Sequence, residues 1–221
     1  AAGGEELAGF LTEILCMSVP MLDPAIDAAK WADCDDPGDL AAVRSRVALC
    51  LDVSIDGRHA TLVAAAVLDD ERVRVEVVKA WDGPGCTKQL RRDLPALVAQ
   101  VGPRVLGWFP SGPAAAVAAE LAEDEARGWP PKGVTVEGIR SDVSAVCMGL
   151  AELVDTGDIA HSDDPLLNAQ VPSTEKVRRG DGWVFGRRGA GHCDATYSTA
   201  GAAHLARTLP EEKPAGWFGV V

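Results

Sequence analysis

Two acidic residues stand where acidic residues are costly. Asp52 interrupts the apolar run Val47-Ala48-Leu49-Cys50-Leu51-Asp52-Val53. An ionised carboxylate inside a buried strand is destabilising unless something pairs with it. A divalent metal ion is one such partner, and the amides of the turn at Asp56-Gly57 are another; the sequence leaves both open. Asp194 lies in Gly191-His192-Cys193-Asp194-Ala195-Thr196-Tyr197, directly before an alanine-rich helix. It either caps that helix or delivers a second carboxylate beside the first. Carboxylates that hold Mg2+ or Mn2+, ions that want oxygen ligands, activate water for attack on a phosphodiester. Asp56 reads as a turn residue, with a contact to a second metal as its functional alternative.

A second constellation is basic. Lys176, Arg178, Arg179, Arg187 and Arg188 surround Gly180-Asp181-Gly182 and Trp183-Val184-Phe185, giving a local charge of +4 in a chain of −12. The pattern predicts a hairpin whose flanks suit phosphate contacts, against the plainer reading of a solvated hairpin on an acidic body. The histidines offer less. His192 is close enough to Asp194 to order it or touch substrate, whereas His59, His161 and His204 have no metal-ligand spacing among themselves. No nucleophile elbow and no Walker A motif occur.

The elements that must position these groups follow from periodicity. Val47–Val53, His59–Leu68 and the alternating Arg72–Val77 read as three strands joined by tight turns, an antiparallel meander. Thr87 is expected to cap a helix to Val101, with Pro95 kinking or splitting it. Strand 104–109, helix 113–127, strand 133–139 and a helix from Ser141 to Val154 complete a β-β-β-α-β-α-β-α order. That order predicts an α/β ribonuclease-H-like fold: a mixed five-stranded sheet flanked by helices, with the first strand central and the fourth beside it, plus the basic hairpin. Short helical turns are expected at Phe10–Leu15 and Ala25–Trp31, with a linker at Asp33–Asp39.

The bulk numbers set limits. With 221 residues and 47% apolar content, the chain suits one α/β domain with an appendage. No apolar run reaches the roughly 18 residues of a membrane span, and no secretory signal opens the chain. The six scattered cysteines show no CxxC pair, so a reduced, cytoplasmic chain is expected. A charge of −12 argues against indiscriminate nucleic-acid binding.

Taken together, these residues resemble the C-terminal nuclease domain of the large terminase subunit of tailed bacteriophages, in the form associated with actinobacterial phages and prophages. The resemblance rests on Phe10-Leu11-Thr12-Glu13, Pro24-Ala25-Ile26-Asp27 through Trp31, Leu51-Asp52-Val53, Gly112-Pro113-Ala114-Ala115-Ala116, Gly182-Trp183-Val184-Phe185 through Arg187-Arg188, and Asp194 with its helix. It implies a metal-dependent endonuclease that cuts concatemeric double-stranded viral DNA, with Asp52 as first and Asp194 as last Mg2+ or Mn2+ ligand and the basic hairpin near the DNA. It further implies residues 1–45 as a lead-in from an upstream ATPase domain, 46–210 as the nuclease domain and 211–221 as a tail. Portal and small terminase subunit are the implied partners, with no membrane, a host-cytoplasmic location and an isolated domain that is monomeric.

One departure stands out. The family places a second acid at the end of the fourth strand, where this chain has Trp108-Phe109-Pro110. Asp56, Asp82 or Glu137 are candidates to compensate, Glu137 best placed near the end of the fifth strand. Two rival expectations follow: a catalytically weak DNA-guiding domain of the packaging motor, or another ribonuclease-H-like nuclease such as a resolvase or hybrid nuclease.

Overall fold

A computed structural model describes residues 23–122, 128–187 and 191–210. The expected helical turn at Phe10–Leu15, the end of the helix near Arg127, Arg188 and the tail 211–221 lie outside these residues.

The central sheet starts from the meander: β1 (Ala48–Val53), β2 (His59–Val67) and β3 (Val73–Asp82). β1 and β2 pair antiparallel with Asp52 opposite Thr61. Their hairpin closes through Ser54 and His59, and Gly57 takes the left-handed backbone (φ 67°) that the turn requires. Then come α1 (Cys86–Val101), β4 (Val105–Trp108), α2 (Pro113–Ala122), β5 (Thr135–Gly138) and α3 (Val143–Thr156). α1 runs unbroken through Pro95; its N-cap is Gly85, in the left-handed conformation, rather than Thr87. β4 runs parallel to β1 and β5 parallel to β4.

A short strand, β6 (Ile159–His161), adds to the free edge of β3, parallel to it. Among the described residues the sheet therefore has six strands, in the order β5-β4-β1-β2-β3-β6, rather than the five expected. Three residues carry too little periodicity to be read as a strand; pairing with β3 makes them one. Beyond it, β7 (Lys176–Arg179) and β8 (Gly182–Phe185) form the expected hairpin, and α4 (Asp194–Thr208) closes the described chain.

Alternation along β1 divides the core in two. Leu49, Leu51 and Val53 pack with Leu90, Leu94 and Val98 of α1 on one face. Ala48 and Cys50 pack with Ala200, Ala202 and Ala203 of α4 on the other. Asp52 shares the face of Cys50, so it points to the α4 side. Small residues let α4 lie close: a Cβ added at Gly201 would meet Cys50 Sγ at 2.3 Å, and one added at Gly107 would meet Leu205 Cδ1 at 2.6 Å. Ile26 and Trp31 from the lead-in also enter this core, the Trp31 indole stacking on His161 with ring centroids 4.1 Å apart.

Candidate active site

The sheet and α4 bring Asp52 and Asp194 together. Both are buried, each 2% exposed. Asp194 is the first residue of α4, after an N-cap at Cys193 that makes no side-chain capping bond. Its carboxylate instead faces the sheet. Thr61 Oγ1 donates to Oδ2 at 2.5 Å, and Gln170 Nε2 donates to Oδ1 at 3.3 Å. Gln170 also accepts from the Ala195 amide at 2.8 Å, which fixes the start of the helix. Thr61 is the partner of Asp52 across β1 and β2, so the residue opposite one acid holds the other.

Asp52 has a partner that the sequence did not reveal. Arg187 Nη1 donates to Oδ2 at 2.7 Å and Nη2 to Oδ1 at 2.8 Å, a two-pronged ion pair. The guanidinium carbon sits 3.7 Å above the centre of the Tyr197 ring. Tyr197 in turn donates its hydroxyl to the Phe185 carbonyl at 2.8 Å. Burial pushes the Asp52 carboxyl up to about 6, opposed by Arg187 and reinforced by the nearby charge of Asp194. Ionisation of Asp52 thus falls just below neutrality.

Phe109 follows β4 directly, where the parallel register sets the chain beside Asp52. It is 1% exposed and meets the Tyr197 ring edge-on, centroids 5.2 Å apart. An aromatic wedge therefore stands at the strand end where the resemblance leads to the expectation of an acid. Glu137 does not replace it. That side chain pairs with Arg140 at 3.3 Å and lines a pocket with Leu205 and Thr208. Leu205 lies eleven residues along α4 from Asp194, roughly 16 Å away at the helical rise.

Asp56 is nearer. Its Oδ1 accepts from the Ser54 hydroxyl at 2.6 Å and the Arg58 amide at 3.0 Å, and these bonds hold its carboxyl below the usual range. Asp82 reaches His59 Nδ1 at 2.8 Å. Asp56, His59 and His192 gather into one cluster. Spacing concealed it, because the two histidines come from distant parts of the chain and meet only when α4 docks on β2.

The basic constellation divides. Arg178 and Arg179 are exposed on the hairpin. Lys176 lies 3.7 Å from Asp23 and over the Trp183 ring. Arg187 leaves the group altogether, turning inward to Asp52.

Does this donor set suit Mg2+ or Mn2+? The chemistry does: two carboxylates and a hydroxyl are hard oxygen donors. The present arrangement adds one condition. Arg187 takes one acceptor site on each oxygen of Asp52, so a cation held by Asp52 either uses the remaining lone pairs or displaces Arg187.

No family model matches the chain, and no curated protein matches it. Solved structures do. The large terminase of the thermophilic bacteriophage D6E superposes with a TM-score of 0.57 at 12% identity, over 87% of this chain and 48% of that one. The HK97 bacteriophage large terminase gives 0.55 at 17% identity, over 83% and 44%. A variant of the nuclease domain of the large terminase subunit gp2 of bacterial virus Sf6, with manganese, gives 0.56 at 10% identity, over 81% and 98%. This chain thus spans less than half of the HK97 and D6E proteins and nearly the whole of the Sf6 nuclease domain. By strand order, by the crossover helices and by these likenesses, the chain has the ribonuclease-H-like fold of the nuclease domains of phage large terminases.

Proposed function

We propose that this chain is the nuclease domain of a phage DNA-packaging terminase, an endonuclease that cuts concatemeric double-stranded DNA. One observation carries the reading: two buried carboxylates, Asp52 and Asp194, meet at the central strand of a ribonuclease-H-like sheet, and Asp194 spends its charge there rather than capping its helix. Asp52 and Asp194 would hold the divalent cation, Mg2+ or Mn2+. Bound there, that cation supplies Lewis-acid stabilisation of the phosphodiester and a lowered pKa for attacking water. The chain's own residues do the rest. Thr61 and Gln170 hold the Asp194 carboxylate in place. Arg178 and Arg179 meet backbone phosphates on the hairpin, while Arg187 keeps Asp52 neutralised when no other cation does. An upstream ATPase domain, the portal and the small terminase subunit would be the partners, in the host cytoplasm.

The test is nicking of supercoiled plasmid with Mg2+ or Mn2+, comparing the wild type with Asp52→Asn and Asp194→Asn. Cleavage should vanish in both variants; cleavage retained in both would overturn the reading. Duplex, hybrid and branched substrates compared side by side separate it from a resolvase or hybrid nuclease.

A specific pair of observations favours a second reading. Phe109 takes the place of the third acid, and Arg187 already satisfies Asp52. Together they suit a DNA-guiding domain that has lost cleavage. It predicts salt-sensitive DNA binding with no nicking at any metal concentration, and robust cleavage by the metal-loaded wild type would exclude it.

A further inference from the structure

Beside the acid pair, three more ligand groups converge from separate places. Asp56 comes from the β1–β2 turn, His59 opens β2, and His192 lies two residues before α4. One carboxylate oxygen and two ring nitrogens from these residues all lie within 4.8 Å of one another. The His59 and His192 rings are tilted by 36° with centroids 3.5 Å apart.

Their surroundings fix two of the three. Ser54 and Arg58 both bond Asp56 at Oδ1, leaving Oδ2 as the oxygen still to be satisfied. His59 Nδ1 lies 2.8 Å from Asp82 Oδ1. A ring that donates from Nδ1 to a carboxylate keeps its lone pair on Nε2, and such an outer carboxylate orients and strengthens a metal-binding imidazole. Asp56 and His192 are exposed and His59 is half-buried, so a bound ion keeps coordination positions open to water.

Two imidazoles and one carboxylate select differently from an all-oxygen site. Mg2+ and Ca2+ prefer oxygen cages, whereas imidazole suits Zn2+ and its first-row neighbours. We propose that Asp56, His59 and His192 form a binding site for a transition divalent cation of the Zn2+ class, separate from the Asp52–Asp194 pair. The site ties the β1–β2 turn to the start of α4, which Thr61 of β2 already holds through Asp194. It does not rest on the nuclease reading, because its readout is binding of the ion and not cleavage.

The experiment is calorimetric titration of the full chain, stripped with chelator, with Zn2+ alone and with Mg2+ alone at about pH 7.5, where imidazole is neutral. The wild type should bind Zn2+ and rise in melting temperature, and in Asp52→Asn, where the proposed Mg2+ pair is broken, the Zn2+ response should persist with no matching response to Mg2+. His192→Ala and His59→Ala should each weaken Zn2+ binding by about tenfold or more, while Asp52→Asn leaves it in place. His192 is exposed, so its variant should melt like the wild type before metal is added, which guards against misfolding. Unchanged Zn2+ binding in a His59→Ala/His192→Ala protein would overturn the proposal, since the ion would then sit elsewhere, for example on thiols. Equal loss in Asp52→Asn would also overturn it, by moving the ion to the acid pair.

Discussion

Arg187 grips both oxygens of Asp52, at 2.7 and 2.8 Å, from a position stacked on the Tyr197 ring. The pairing connects two facts that look unrelated in the sequence. Phe109, at the strand position beside Asp52, braces the edge of Tyr197. Tyr197 then presents its face to Arg187. Phe109 thus supports the ring on which the counter-charge of Asp52 rests, and that counter-charge lets Asp52 stay buried.

If that pair stabilises the buried charge, breaking it from the arginine side should cost more than removing both charges. Arg187→Met should destabilise the fold by about 3–5 kcal/mol near pH 8, because it strands Asp52. The Asp52→Asn/Arg187→Met protein should recover much of that loss. Arg187→Lys should recover little, since an ammonium lacks the planar fork. Urea unfolding of these proteins together with Asp52→Asn closes the cycle and gives the coupling, and additive losses would show that the contact carries no energy of its own.

The raised pKa of Asp52 has a definite sign for stability. Its carboxyl titrates near 3.8 when unfolded and at about 6 when folded, so the native state binds the proton more tightly. The stabilising contribution is complete below pH 3.8 and is lost as pH rises through 6. The difference in stability between wild type and Asp52→Asn should therefore shift against the wild type by on the order of 3 kcal/mol across that window. Parallel curves for the two proteins from pH 4 to pH 7, about the range that matters, would contradict it.

How legible was this site before folding? Asp52 and Asp194 were visible because each breaks a local pattern, an acid in an apolar strand and an acid ahead of an apolar helix. The strand order was legible from turns and periods, and with it the placement of β1 beside β4. In the sequence Arg187 reads as part of the basic hairpin, because a charge among charges has an obvious surface role; only the tertiary fold brings it to Asp52. His59 and His192 escaped for the same reason, as their meeting depends on α4 packing against β2. Pro95 argued for a broken helix, but α1 continues through it with Leu90, Leu94 and Val98 buried on one face.

The close approach of α4 makes a prediction that uses no charge. Gly201→Ala should raise helix propensity by about 1 kcal/mol, yet the new Cβ would stand 2.3 Å from Cys50 Sγ on a strand that cannot retreat. Overpacking should win, for a net loss of about 1–3 kcal/mol. Cys50→Ala removes the sulfur, so the double variant should be more stable than the sum of its parts. A Gly201→Ala protein as stable as the wild type in thermal melts would show that α4 and β1 do not pack in close contact at this position.

The hairpin and the buried arginine can be separated by salt. Each phosphate neutralised by a basic side chain adds about 0.9 to the slope of log affinity against log salt on duplex DNA. Arg178 and Arg179 are exposed on β7, so Arg178→Ala/Arg179→Ala should weaken duplex binding and flatten that slope by about 2 units. Arg187 is already paired with Asp52, so Asp52→Asn/Arg187→Met, which removes both charges of the pair, should leave the slope unchanged. Anisotropy titrations at several salt concentrations measure both. A slope that falls with Asp52→Asn/Arg187→Met but not with the hairpin variant would place the DNA over the acid pair itself, with Arg187 released from Asp52 to meet a phosphate.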